Sequence, residues 1–117
     1  MSFYAVCPVD RVPVERAVCV LVAGEQVALV RTAAGTLHAL GNLDPGSGAM
    51  VMSRGIVGSR GGRDVLVSPM YKQAYDLETG ECLDLTDTWL PVHRVRVHAG
   101  IVEVGLSVGL ADAALPA

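Results

Sequence analysis

Short apolar runs rich in valine, each followed by a glycine-bearing turn, constrain the fold of this chain more than any other feature. A run of about five residues that ends at a tight turn is typical of an antiparallel strand, and the stiff branched side chain of valine packs well on a pleated surface. The pattern predicts an all-β domain of eight or nine antiparallel strands without a long helix. The clearest runs are Val18–Val22, Gln26–Arg31, Thr36–Leu40, Asp64–Val67, Ala74–Asp76, Val92–Val97 and Ile101–Val104.

The length of 117 residues suits one compact domain. We predict that this domain covers residues 1–106 and that residues 107–117, which are small, apolar and unpatterned, form a flexible C-terminal tail. The long segment Gly41–Arg63 is predicted to be irregular, because it is rich in glycine. Within it, Gly55–Arg63 lacks the Gly-Lys-Ser/Thr ending of a phosphate loop, which favours a flexible loop.

Charge and composition exclude several classes of function. A net charge of −3 gives no general attraction to nucleic acid or anionic lipid, and no segment approaches the roughly 18 unbroken apolar residues of a membrane span. The first residues carry no signal-peptide pattern, so a cytoplasmic location is expected. Cys7, Cys19 and Cys82 show no Cys-x-x-Cys spacing and are predicted to be reduced, mostly buried thiols.

Two loop motifs carry a more specific signal. The first is Asn42-Leu43-Asp44-Pro45-Gly46-Ser47-Gly48, and the second is Ser68-Pro69-Met70-Tyr71-Lys72-Gln73, followed by Tyr75-Asp76 and a turn at Gly80. In this order they resemble the two ligand loops of Rieske iron–sulfur domains, Asn-x-Cys-Pro-His-x-Gly and Cys-Pro-Trp-His-Gly. The resemblance implies a Rieske-like antiparallel β-sandwich with a small loop subdomain at residues 41–80.

The resemblance also implies that all four cluster ligands are replaced in this chain. Asp44 and Ser68 stand at the cysteine positions, and Gly46 and Tyr71 stand at the histidine positions. A Rieske centre needs two thiolates and two imidazoles, so we expect no cluster, no other metal and no catalytic residue here. One carboxylate, one hydroxyl and one phenol also make a poor site for zinc, although a hard cation at Asp44 stays a minor alternative. The three histidines, His38, His93 and His98, show no ligand spacing.

Three segments together are similar to one branch of the Rieske family, the small subunits of cytoplasmic NAD(P)H-dependent nitrite reductases. They are Asn42–Pro45, Met52–Val57 and Ser68–Gln73. The likeness implies a large-subunit partner that carries FAD, siroheme and a four-iron cluster and reduces nitrite to ammonia with NADH or NADPH. A solvated polar face is the first explanation of the charges around the two loops, but loop tips that no longer hold a cluster are candidate docking residues, and docking is favoured for Tyr71 and Lys72. The candidates are Pro45, Arg54, Met70, Tyr71 and Lys72.

Two other functions stay open from the sequence. One is a Rieske-type ferredoxin that carries electrons to an oxygenase, and the other is a stand-alone binding module unrelated to nitrite. For the loops themselves, we expect the Asp44 carboxylate to accept hydrogen bonds from backbone N–H groups of the Gly46–Gly48 turn, and Tyr71 to pack over the same turn. Trp89 is expected to fill the core or an edge of the sheet.

Overall fold

A computed structural model describes residues 2–107 of the chain and contains nine strands in this range, all paired antiparallel. The prediction of an all-β chain with eight or nine antiparallel strands is therefore confirmed. Two single turns of 3₁₀ helix, Val9–Arg11 and Met52–Arg54, interrupt the strands. The strands are β1 (Tyr4–Pro8), β2 (Arg16–Val22), β3 (Glu25–Arg31), β4 (Leu37–Gly41), β5 (Ile56–Arg60), β6 (Arg63–Val67), β7 (Ala74–Asp76), β8 (Val92–His98) and β9 (Ile101–Gly105).

Six of the strands form one large sheet in the order β1-β9-β8-β4-β3-β2. The sheet curls until its two edge strands, β1 and β2, lie in contact, which leaves little of either edge open. Its concave face encloses a core built mainly from valine, including Val22, Val27, Val102 and Val104. The branched side chains that predicted strands from the sequence therefore also fill the interior of the curled sheet.

Strand β3 is buried on both of its faces, and it joins the two halves of the fold. Val27 and Leu29 point into the curled sheet, whereas Ala28 and Val30 point the opposite way into a second core, and none of the four is exposed. Successive residues of a strand face opposite sides, so a strand buried on both sides reads as an unbroken apolar run. The run Val27-Ala28-Leu29-Val30 has this form.

A smaller sheet in the order β5-β6-β7 packs against the outer face of β3 and β4 through Leu66, Tyr75 and Leu77. This sheet corrects the prediction that Gly41–Arg63 is wholly irregular and that Gly55–Arg63 is a flexible loop. Arg60 pairs with Arg63 across a two-residue hairpin turn, in which Gly61 and Gly62 have φ values of 58° and 80°. Two glycines with positive φ provide the backbone that tight hairpins favour, and the glycines therefore mark a turn between strands.

The cysteines differ in burial from one another. Cys82 is buried and Cys7 is partly buried, as expected, but Cys19 is exposed on the outer face of β2, so the prediction that the thiols are mostly buried is wrong for Cys19. All three are free thiols. The predicted tail, except for Ser107, falls outside the described residues. Within residues 2–107 no helix is long and apolar enough to cross a membrane.

Gly80 connects the small sheet to the segment that leads into β8. Its backbone has φ of +79°, its N–H donates to the Asp76 carbonyl, and its carbonyl accepts the Leu90 N–H at 2.8 Å. A Cβ at this position would collide with the Leu90 carbonyl oxygen. Only glycine satisfies both the left-handed backbone and the close approach of the neighbouring chain.

Replacement of Gly80 by alanine is expected to lower the free energy of unfolding by about 3 kcal/mol or more, because backbone strain and a collision add together. The matched control is Gly24→Ala, where φ is +85° but no atom lies within 4 Å of the added Cβ. That variant should lose only about 1 kcal/mol from strain. Urea unfolding of both variants measures the difference, and equal losses would contradict the proposed packing of Leu90 on Gly80.

Candidate functional site

The two predicted ligand loops lie side by side at the ends of β4 and β6. We call residues 42–50 loop 1 and residues 68–73 loop 2. Loop 1 closes through a hydrogen bond of 2.8 Å from the Asp44 N–H to the Ala49 carbonyl and a bridge between Leu43 and Met50. Loop 2 closes through a hydrogen bond of 2.9 Å from the Ser68 N–H to the Gln73 carbonyl. Each loop therefore satisfies part of its own backbone without a metal.

The Asp44 carboxylate connects the two loops. Asp44 is fully buried and Ser68 is 1% exposed, and the Ser68 hydroxyl donates to Asp44 Oδ2 at 2.9 Å. The same oxygen accepts the Ser47 hydroxyl at 2.8 Å, and Oδ1 accepts the Gly46 N–H at 3.1 Å. None of the ion pairs among residues 2–107 includes Asp44. Hydrogen bonds from three neutral groups therefore solvate a buried carboxylate.

These contacts bear on the expectations for the loops. The Gly46 N–H does donate to the Asp44 carboxylate, as expected, but the Gly48 N–H donates to the main-chain carbonyl of Asp44 instead. The Tyr71 ring packs over the turn: a Cβ built on Gly46 would lie 3.4 Å from Tyr71 Cδ2. The missing side chain of Gly46 leaves room for the Gln73 amide, since the same Cβ would lie 2.8 Å from Gln73 Oε1.

A buried tyrosine next to this network was not singled out by the sequence. Tyr75 is fully buried, and its hydroxyl has no hydrogen-bond partner within the described residues. Burial, together with the nearby Cys82 and Asp44, raises the pKa of Tyr75 well above its ordinary value of about 10. The hydroxyl therefore keeps its proton beside the Asp44 carboxylate at neutral pH. The sequence signal was the Tyr75-Asp76 pair of the second motif, which indicated a strand and not a polar contact.

Asn42 anchors loop 1 to the rest of the protein. Its side-chain amide donates to Gln26 Oε1 at 3.0 Å and to the Met50 carbonyl at 3.2 Å, and its Oδ1 accepts the Ser53 N–H at 2.7 Å. Asn42 is 2% exposed, so these bonds lie in a largely dry environment. The asparagine retained in the first motif therefore holds the loop against β3 and the turn at Met52–Arg54.

The candidate docking residues are exposed around the two loops. Pro45, Arg54 and Lys72 are exposed, Met70 is 49% exposed and Tyr71 is 61% exposed. Arg60 and Arg63, which are close in sequence to the loops, form ion pairs with Asp84 and with Asp76 and Glu81. Arg54 and Lys72 belong to none of the ion pairs found in residues 2–107.

Beside loop 1 lies an open groove with a volume of about 810 Å³, which the sequence did not predict. Leu43, Pro45, Met50, Trp89, Pro91 and Leu106 form its apolar lining. Trp89 lines this groove and is 43% exposed, so it does not fill the core. Its backbone pairs with Glu81 in an isolated bridge, so the expectation that it fills the core or an edge is only half right.

His93 lies in the same groove. Burial lowers the pKa of His93 below its ordinary value, against a smaller opposite effect of Glu25, so the imidazole is neutral at pH 7. The Ser107 N–H donates to Nδ1 at 3.2 Å, which places the proton of the neutral ring on Nε2. Burial also lowers the pKa of His38.

The side chains at the four predicted ligand positions do not fit a Rieske cluster. Such a centre needs two thiolates on one iron and two imidazoles on the other, and here the groups are a carboxylate, a hydroxyl, a phenol and no side chain at all. Asp44 and Ser68 are also engaged with each other at 2.9 Å. Within residues 2–107 no group of three or more His, Cys, Asp or Glu residues is placed to hold a metal ion.

Comparisons with known proteins agree with this combination of fold and loops. The family model described as a Rieske-like [2Fe-2S] domain matches residues 2–105. The nitrite reductase (NADH) small subunit of Escherichia coli K12 is 31% identical over 100 residues, which cover 85% of this chain and 93% of that protein. A crystal structure described as an NADH-dependent nitrite reductase small subunit of Mycobacterium tuberculosis has a TM-score of 0.84 at 48% identity, over 88% of this chain and 93% of that one.

A third relative is much longer than this chain. The nitrite reductase [NAD(P)H] large subunit of Klebsiella oxytoca is 37% identical over 101 residues, which cover 86% of this chain but only 10% of that protein. The fold and the match to the family model show that this chain belongs to the Rieske-like domains. Within that class it belongs to the family of nitrite reductase small subunits.

If the Asp44 carboxylate holds the two loops together, Asp44→Ala should lower the free energy of unfolding by about 2–3 kcal/mol, because the buried Ser68 hydroxyl and two partly buried donors, the Ser47 hydroxyl and the Gly46 N–H, lose their acceptor. Ser68→Ala should cost about 1–2 kcal/mol, and the double variant should cost less than the sum by about 1 kcal/mol or more. Urea unfolding of all three variants gives this coupling energy.

The control for this cycle is Ser59→Ala, which removes an exposed hydroxyl on β5 and should change stability by less than about 0.5 kcal/mol. Strictly additive losses in the double variant, or an Asp44→Ala loss no larger than that of the control, would show that the carboxylate does not join the loops.

Proposed function

We propose that this chain is the small subunit of a cytoplasmic NAD(P)H-dependent nitrite reductase and that it carries neither a cluster nor a catalytic residue of its own. One combined observation carries the proposal. Relatives of that name match almost the whole chain, while a carboxylate and a hydroxyl, hydrogen-bonded at 2.9 Å, stand at the two predicted cysteine positions. The chain then supports turnover without transferring electrons itself.

The partner in this proposal is the large catalytic subunit. The support is the relative from K. oxytoca, in which the matching 101 residues lie within a protein named as the large subunit. Covalent linkage of two modules raises their effective concentration for each other, which favours a stable contact between them. We assign the FAD, the siroheme and the four-iron cluster to the large subunit, where nitrite is reduced to ammonia.

The docking face we propose contains Pro45, Arg54, Met70, Tyr71 and Lys72. Tyr71 and Met70 offer large exposed apolar surface, and aromatic and methionine side chains are enriched at protein interfaces. Arg54 and Lys72 add positive charge that intramolecular ion pairs do not use within the described residues. The Tyr71 ring lies next to Gly46, which brings it close to Pro45 in loop 1.

The two alternative functions gain less support. A Rieske-type ferredoxin must hold a redox centre, and none of Asp44, Gly46, Ser68 and Tyr71 supplies a thiolate or an imidazole. A stand-alone binding module would need no large subunit, and it would have no effect on nitrite turnover.

Reconstitution tests the proposal. The purified chain should co-elute from a sizing column with the nitrite reductase large subunit, in a peak that shows siroheme absorbance. Nitrite-dependent oxidation of NADH or NADPH should be faster with the chain than without it. Separate elution together with an unchanged rate would overturn the proposal in favour of a stand-alone module.

A substitution at Tyr71 tests the proposed docking face. Tyr71→Ala should weaken binding to the large subunit about 10-fold, because an exposed aromatic anchor is lost. Tyr4→Ala is the matched control, since Tyr4 is 43% exposed on β1 and lies outside the proposed face. Equal affinities of the two variants would remove Tyr71 from the interface.

A further inference from the structure

We propose that the groove beside loop 1 receives an apolar segment of the large subunit that carries a basic residue. This inference rests on the proposed function and extends the docking face beyond the loop tips. Three side chains along the groove, Leu43, Met50 and Trp89, are 43–47% exposed. Large apolar side chains that share one concave surface are typical of a contact site, whereas scattered exposed residues are not.

The groove is continuous with the proposed docking face. Pro45 belongs to both, and Gly46, the next residue, lies directly under the Tyr71 ring. A partner that contacts Tyr71 and Pro45 therefore also reaches the lining of the groove. An interface with a buried apolar centre and a polar rim has this arrangement.

Rigid elements hold the walls of the groove in place. Pro91 packs against Gly41, whose N–H donates to the Pro91 carbonyl at 2.9 Å, and Asn42 fixes loop 1 through three side-chain hydrogen bonds of 2.7–3.2 Å. Ser107 closes one end through its bonds to His93 and Val92. A preformed site loses less conformational entropy when it binds, which favours a stable complex over a transient contact.

The charge of the groove indicates which charge the bound segment carries. Glu25 is the one acidic residue among the described residues that line the groove, and this lining contains no lysine or arginine. An entering acidic residue would meet Glu25 across a surface of low polarity, whereas a lysine or arginine would pair with it. The occupant is therefore an apolar segment with a cation placed to reach Glu25.

The large subunit fits this description better than a second copy of the chain does. In the K. oxytoca relative, a region similar to this chain forms part of the large-subunit protein, so that the region has a raised effective concentration for the rest of that protein. A second copy would have to bring the same acidic surface, net charge −3, towards Glu25.

Binding of full-length variants to the purified large subunit, measured by calorimetry, tests the groove. Met50→Glu should weaken binding about 10-fold or more, because it places a charge in the apolar lining. Val14→Glu is the matched control: Val14 is 47% exposed, precedes β2 and lies outside the groove lining, and this variant should bind like the unmodified chain. Glu25→Gln should weaken binding and reduce its dependence on salt, whereas Glu15→Gln should do neither.

Each outcome decides between specific alternatives. If the unmodified chain does not bind the large subunit, the proposed function fails, and the groove proposal fails with it. If the unmodified chain binds and Met50→Glu behaves like Val14→Glu, only the groove proposal fails. If the unmodified chain sediments as a dimer and Met50→Glu dissociates it, the groove binds a second copy and the proposal is overturned. If Leu110→Glu binds the large subunit more tightly than the unmodified chain does, the chain's own C-terminal residues occupy the groove, and the proposal is again overturned. Met50→Glu and Val14→Glu are expected to unfold at the temperature of the unmodified chain, because both side chains are at least 43% exposed.

Discussion

The hydrogen bond between Asp44 and Ser68 is the interaction on which the functional half of this protein depends. It joins loop 1 to loop 2 across 24 residues of sequence, at the place where the sequence motifs predict two cluster thiolates. A buried carboxylate is costly unless donors surround it, and here two hydroxyls and one backbone N–H do so. Because these hydrogen bonds hold the two loops side by side, Pro45 of loop 1 and Tyr71 of loop 2 become neighbours. The proposed docking face consists of such residues from both loops.

The scaffold around the network is stiff for a different reason. Strand β3 contributes to the core of the curled sheet with one face and to the core under the small sheet with the other. Any displacement of β3 would disturb both cores, and β4, at whose end loop 1 begins, pairs with β3, so loop 1 starts from a fixed end. Asn42 transmits this rigidity to loop 1 through its bond to Gln26 on β3. The hydrogen bonds to Asp44 therefore need to hold only the two loops, since hydrophobic packing stabilises the two sheets.

Much of this arrangement could be predicted from the sequence, and the omissions have two physical causes. Valine-rich runs predicted the strands, and the two motifs predicted that Asp44 would accept a hydrogen bond from its own turn. The β5–β6 hairpin was missed because Gly61-Gly62 was interpreted as a flexible loop, although two glycines with positive φ also make a tight turn. The groove was missed because Leu43, Trp89 and Leu106 come from distant parts of the chain, and only the packed fold brings them together. The same reason applies to Tyr75, which tertiary packing alone brings near Asp44.

The claim that oxygen groups replace an iron centre in these loops is tested most directly by iron and acid-labile sulfide analysis of the protein, purified without oxygen, together with its visible spectrum. The account predicts a colourless protein with negligible iron and sulfide, and unfolding that a strong iron chelator does not change. A reddish-brown protein with about two irons and two sulfides per chain would contradict it, since that stoichiometry belongs to a [2Fe–2S] centre.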